Sequence, residues 1–194
     1  IQTILDKYKS PIKIIAKIEN QAGVDNIDEI LEAAYGVMVA RGDLGIEIPA
    51  EKIPGVSRML VRKCIYARKP VIMATQMLHT MIEHPRPTRA EISDIANAVF
   101  NRTDALMLSG ETANGNYGVE AVKVMAKVAE EVEISKDKRN DIIPPLNSEP
   151  SAFLAQNAIN ATNEMDITAI VTDTLSGHNA RYLSAFRADV PVYA

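Results

Sequence analysis

Cysteine is almost absent: Cys64 stands alone in 194 residues, so no intrachain disulfide can form. A lone cysteine fits a reducing compartment. No histidine lies near it in sequence, and it reads as a buried helix residue rather than a nucleophile. Excess positive charge is missing too. The formal net charge is -4, which argues against a general nucleic-acid or anionic-membrane binder. No apolar run approaches the roughly 20 residues that cross a bilayer. No signal peptide is expected before the first element, and the expected location is cytoplasmic. An initiating methionine is also lacking. The chain opens Ile1-Gln2-Thr3-Ile4-Leu5, which looks like the middle of a helix, and the expectation is a piece of a longer protein. What is present is ordinary for a soluble globular domain: 47% hydrophobic and 24% charged residues, enough for a sizeable core.

Short apolar runs organise the first two thirds. Ile12–Ile18, Gly36–Ala40, Val71–Ala74 and Ala105–Leu108 read as strands, each followed by a segment of helical periodicity. An unbroken run such as Val37–Ala40 is the pattern of a strand buried on both faces of a parallel sheet. Helices are expected over Ile1–Lys9, after Asn26, from about Gly55 to Arg68, behind Thr88, and from about Val119 to Val132. Asn26 with Glu29, and Thr88 with Glu91, both have capping-box spacing. Arg41-Gly42-Asp43 reads as a tight turn, with Gly42 and Gly45 allowing close approach of a ligand to backbone. Ser135–Pro150 is charged, then Pro-rich, and reads as a linker. Beyond it, helix Ser151–Met165, strand Ile167–Thr172, helix Asn179–Phe186 and strand Val190–Tyr193 begin a second α/β domain.

In parallel sheets, sites form at the C-terminal ends of the strands. Those ends carry Lys17 and Glu19, Asp43, Thr75, then Ser109 and Glu111. Lys17 and Glu19 are two residues apart, so both leave the same face of a strand. Glu19 and Asp43, on neighbouring strands, could share Mg²⁺ or Mn²⁺ with water and substrate completing the shell. A lysine beside that pair suits an anionic substrate whose charge grows in the transition state. Taken singly, Lys17–Glu19 is equally a surface ion pair, Thr75 a hydroxyl satisfying backbone, and Asp43 part of a solvated turn.

Five stretches resemble the pyruvate kinase family in order and spacing: Lys13–Asn20, Met38–Gly45, Ala74–Leu78, Pro85–Glu91 and Met107–Ala113. The resemblance implies that residues 1–134 are the second half of a catalytic (β/α)₈ TIM barrel, four βα units long. By it, 135–150 is a linker and 151–194 starts the α/β regulatory C-terminal domain. It implies phosphoryl transfer from phosphoenolpyruvate to ADP, giving pyruvate and ATP in glycolysis. Lys17 then matches the lysine that stabilises the transferring group and the enolate, and Glu19 and Asp43 match the divalent-metal ligands. The backbone of Ala40, Arg41 and Gly42 lies along the substrate with Asp43, and Thr75 matches the threonine where the enolate is protonated. Thr174, Ser176, Gly177, His178 and Asn179 resemble the loop that binds a phosphorylated allosteric effector. A Ser/Gly loop opening a helix is also a simple N-cap, and Leu175 and His178 replace the more basic residues of the sugar-bisphosphate-sensing versions. The ligands of the family's K⁺ and the side chains holding the nucleotide lie mostly outside these residues. The expected assembly is a homo-oligomer, a tetramer in the parent, and a fragment inactive by itself. Two other readings stay open: a metal-dependent enolate-forming lyase or aldolase of a related barrel, and a non-catalytic assembly or effector-binding fragment.

Overall fold

The computed structural model describes residues 1–136, 143–147 and 149–194. The middle of the expected linker, residues 137–142, and Ser148 lie outside the described residues. The chain divides into two compact units: Ile1–Cys64 with Lys69–Ile134, and Ile65–Arg68 with Ser135–Ala194.

The first unit is built on a four-stranded, all-parallel sheet. After α1 (Gln2–Lys7) come β1 (Ile15–Ile18), α2 (Gln21–Asp25), α3 (Ile27–Ala33) and β2 (Gly36–Ala40). Then follow α4 (Arg41–Glu47), α5 (Ile53–Tyr66), β3 (Val71–Ala74), α6 (Arg89–Phe100), β4 (Ala105–Met107), α7 (Gly110–Ala113) and α8 (Gly118–Ser135). The strands lie in chain order, β1-β2-β3-β4. Ile18 pairs with Val39, and Ala40 with Ala74, so the C-terminal ends of β1, β2 and β3 are nearly level. The two inner strands carry the core. Val37, Val39, Ala40, Val71 and Ala74 are fully buried, as apolar runs covered on both faces must be.

Three local expectations are corrected. Arg41-Gly42-Asp43 is the first turn of α4, not an open turn, and Gly42 and Gly45 both have negative φ. Leu44, fully buried, and Glu47, which accepts the Gln21 N–H at 3.0 Å, hold that helix in place. Asn26 does not cap α3: its backbone lies at φ -102° and ψ 21° rather than extended, and its side chain donates to the Ala22 carbonyl. The side-chain cap is Asn20, in extended geometry, accepting the Gly23 N–H at 2.8 Å to open α2. The Thr88–Glu91 capping box forms as the spacing implies. Lastly, β1 begins at Ile15 rather than Ile12.

In the second unit α9 (Pro150–Glu164) and α10 (His178–Ala185) accompany a two-stranded parallel sheet of β5 (Ile170–Val171) and β6 (Val192–Tyr193). Both strands are shorter than their apolar runs. Ala155, Ile159, Leu183 and Phe186 form the core, with Ile170 and Val192 packed against it. Among the described residues, no helix is long and apolar enough to cross a membrane.

Candidate active site

The level strand ends gather the charged residues. Lys17, within β1, points its ammonium at Glu19, just beyond the strand, and at Asp43, in the first turn of α4. Its Nζ pairs with Glu19 Oε2 and, at 2.9 Å, with Asp43 Oδ2. All three side chains are partly open to solvent, between 42% and 44% exposed. The hydrogen bond to Glu19, and next that to Asp43, holds the Lys17 ammonium above its ordinary pKa, so it is charged at neutral pH.

Two carboxylates therefore converge on one cationic group at the end of adjacent strands. Hard oxygen donors of this kind suit Mg²⁺, which is commonly held by one or two carboxylates and completed by water and substrate. Among the described residues no group of three or more His, Cys, Asp and Glu side chains is arranged to hold a metal ion. Glu19 and Asp43 could supply two such oxygen donors, with water and substrate completing the shell.

Beside this cluster stands the turn after β3. The Gly42 N–H, in the first turn of α4, donates to Thr75 Oγ1 at 2.8 Å. As the acceptor in this bond, the hydroxyl keeps its own hydrogen. The approach is close: a Cβ on residue 42 would lie 3.3 Å from both Thr75 Oγ1 and the Gln76 side chain. Thr75 and Gln76 both adopt left-handed backbone, with φ of 67° and 53°. Such conformations cost non-glycine residues about 1–3 kcal/mol each and persist where surroundings over-determine them. Arg41 supplies part of that determination. One guanidinium nitrogen reaches the Thr75 and Gln76 carbonyls at 3.4 Å and Met77 Sδ at 3.0 Å, while the other pairs with Asp94 of α6 at 3.1 Å.

Of the predicted residues, then, Lys17, Glu19 and Asp43 meet in one cluster, and Thr75 meets Gly42. Ala40 is buried at the end of β2, and the Arg41 side chain turns toward the Thr75 turn. Ser109 and Glu111 do not join the Lys17 cluster. Glu111 is buried, and its carboxylate accepts the Leu78 and Ser109 backbone N–H groups at 3.1 and 2.8 Å. Burial opposes ionisation of Glu91, yet hydrogen bonds from Thr80 and Thr88 outweigh it and hold its pKa below the usual value. Asp94 went unread in the sequence. A polar residue inside a helix pattern gives no sign that an arginine from another strand end will reach it.

In the second unit Gly177, at φ 73°, is the N-cap residue of α10, and no side chain caps that helix. Leu175 is fully exposed, and the His178 ring lies 4.5 Å from that of Tyr182. Thr174, Ser176 and Asn179 flank this turn.

Residues 1–122 match the family model described as pyruvate kinase, barrel domain. The chain belongs to the pyruvate kinase family. It is 53% identical, over its whole length, to a pyruvate kinase of Borreliella burgdorferi, of which it covers 41%. It is 50% identical, again over its whole length, to one of Bacillus licheniformis, covering 34% of that protein. A Candida albicans pyruvate kinase is 49% identical across 99% of the chain and is covered to 39%. The chain thus spans 34% to 41% of the length of these three pyruvate kinases.

Proposed function

We propose that this chain carries the metal and phosphoenolpyruvate side of a pyruvate kinase active site. On this reading residues 1–134 are the second half of the (β/α)₈ barrel, and the chain beyond the 135–150 linker begins the C-terminal domain. The observation that carries the reading is the convergence of Lys17, Glu19 and Asp43 at adjacent strand ends, with Thr75 held against Gly42 one strand further on.

The reaction breaks the bond between phosphorus and the enol oxygen of phosphoenolpyruvate. It forms a bond from phosphorus to a terminal oxygen of ADP, giving ATP. The remaining enolate takes one proton at its methylene carbon and becomes pyruvate. Phosphoryl transfer of this kind depends on positioning and on charge placed where charge develops. The Lys17 ammonium faces the phosphoryl oxygens and then the enolate oxygen. Glu19 and Asp43 would hold Mg²⁺ or Mn²⁺, which when bound would supply positive charge to offset that of the anionic substrate. The backbone of Ala40, Arg41, Gly42 and Asp43 lines the substrate. The Thr75 hydroxyl, oriented by the Gly42 N–H, delivers the proton to the methylene carbon and regains one from solvent. No residue of this chain is proposed to hold K⁺ or the nucleotide base. The loop from Thr174 to Asn179 is read as a place for a phosphorylated effector, and the parent as a cytoplasmic homo-oligomer.

The test uses a full-length pyruvate kinase carrying this sequence. Pyruvate formation from phosphoenolpyruvate and ADP should require a divalent cation. Asp43→Asn should weaken Mn²⁺ binding at least ~10-fold, the scale of disturbing a metal's ligand set. Unchanged Mn²⁺ affinity by metal titration removes Asp43 from the site.

A further inference from the structure

The Thr75–Gln76 turn is gripped by Arg41 of α4, and Arg41 is met in turn by α6, a helix that contributes nothing to the Lys17 cluster. Arg41 spans the gap. One end of its guanidinium gathers two successive carbonyls, those of Thr75 and Gln76, together with Met77 Sδ. The other end is fixed at 3.1 Å by Asp94, on the second turn of α6. Two carbonyls drawn to one cation suit two consecutive left-handed residues, because neither carbonyl is engaged in the strand ladder that ends at Ala74. The same turn puts Thr75 Oγ1 on the Gly42 N–H, one residue along the chain from Arg41. Arg41 and Gly42 thus hold Thr75 by its carbonyl and by its hydroxyl, and Asp94 pairs with the other end of the arginine.

We propose that Asp94 is a positioning residue for the Thr75 hydroxyl, acting through Arg41. This rests on the reading of Thr75 as the group that serves the methylene carbon. Without the Asp94 carboxylate, the guanidinium keeps its charge but loses the contact that aims it, and the turn loses its directed donor. The step affected is proton transfer at carbon, in which the enolate's electron pair forms the new C–H bond as the hydroxyl O–H breaks. Phosphorus chemistry and metal binding depend on Lys17, Glu19 and Asp43, and are affected less.

The experiment is a double-mutant cycle in a full-length pyruvate kinase carrying this sequence. Exchange of the pyruvate methyl hydrogens with D₂O, in the presence of Mg²⁺, K⁺ and ATP, reports the proton step in reverse and is followed by proton NMR. Asp94→Asn should lower exchange at least ~10-fold, the order of loss produced by slight misplacement of a reacting group. The KM for phosphoenolpyruvate and the affinity for Mn²⁺ should stay within ~2-fold, the signature of a loss confined to one chemical step. In a Thr75→Val background the same substitution should subtract less than ~2-fold more, because coupled residues are not additive. Asp94→Glu, which keeps the carboxylate, should restore most of the exchange. An equal loss in both backgrounds, or no loss in either, overturns the positioning role. Wild-type exchange in Thr75→Val alone overturns the assignment of Thr75 itself, and the dependent proposal with it.

Discussion

Lys17 is 43% exposed and yet bonded to two carboxylates, each of them comparably open. Exposed ion pairs contribute little to stability, so a fold has small reason to assemble three charged side chains at its strand ends. Their convergence has more to offer a charged ligand. That contrast gives a test at the level of one side chain. Lys17→Met in a full-length pyruvate kinase carrying this sequence should leave the melting temperature nearly unchanged. It should lower kcat at least ~100-fold, the scale of removing one preorganised donor from a developing charge. The KM for phosphoenolpyruvate should move far less, because the proposed interaction strengthens in the transition state. Steady-state kinetics beside thermal unfolding reads both. A loss confined to KM contradicts the role. That Lys17, Glu19 and Asp43 come together was legible in the sequence because they stand at or just past the ends of neighbouring apolar runs, the position at which parallel sheets present side chains to a ligand. Asp94 was not legible, because what it does is decided by the approach of α6 and α4 to one turn.

Among the elements, the two inner strands of the first unit were legible to the residue, and the other strands and the ends of the helices less so. Apolar runs buried on both faces leave little choice of structure, and Gly36–Ala40 and Val71–Ala74 appear with the boundaries their runs mark. The turn expected at Arg41-Gly42-Asp43 is a helix instead. Two glycines in seven residues disfavour helix by about 1 kcal/mol each. Tertiary contact offsets this, through buried Leu44, the Glu47 bond to the start of α2, and the close seat of Gly42 on Thr75. Capping shows the same limit. Thr88 and Asn26 share a spacing to glutamate, but the residues before Thr88 are Pro85-Arg86-Pro87, which stop any earlier helix. Asn26 follows α2, already begun at Asn20, and its backbone never becomes extended. The two asparagines should therefore respond differently. Asn20→Ala removes the acceptor of the Gly23 N–H and should cost about 1 kcal/mol. Asn26→Ala removes only a side-chain bond to the Ala22 carbonyl and should cost less than about half of that. Urea unfolding of the two variants under identical conditions measures the difference. Equal losses, or a larger one for Asn26, contradict the assigned cap.

For the chain as a whole, the sheet of the first unit is open at both ends. β1 and β4 each have one partner strand among the described residues and a free edge on the other side. Apolar surface lies open as well: Ile12, just before β1, and Val119, on α8, are each 65% exposed. Free strand edges and uncovered apolar residues are what natural proteins hide to prevent association. In solution this chain alone should therefore form oligomers rather than a stable monomer, through edge pairing or through covering of those side chains by a second copy. Association should not bring activity with it. The proposed metal and phosphoenolpyruvate groups are present in every copy, but the resemblance puts the groups that hold the nucleotide and the monovalent cation mostly outside these residues. Positioning of both reactants supplies much of the rate in phosphoryl transfer, and a site that grips one of them forfeits that share. The same argument separates the catalytic reading from that of a non-catalytic fragment. The isolated chain should be silent while a full-length pyruvate kinase carrying its sequence turns over, whereas a fragment with no catalytic residues would leave both silent. Light scattering on the purified chain, with a coupled assay for pyruvate on the same sample, tests both expectations. The expected outcome is a mass above that of one chain and no pyruvate beyond a blank lacking protein. A stable monomer showing an ordinary kinase rate overturns the expectation for the isolated chain on both counts.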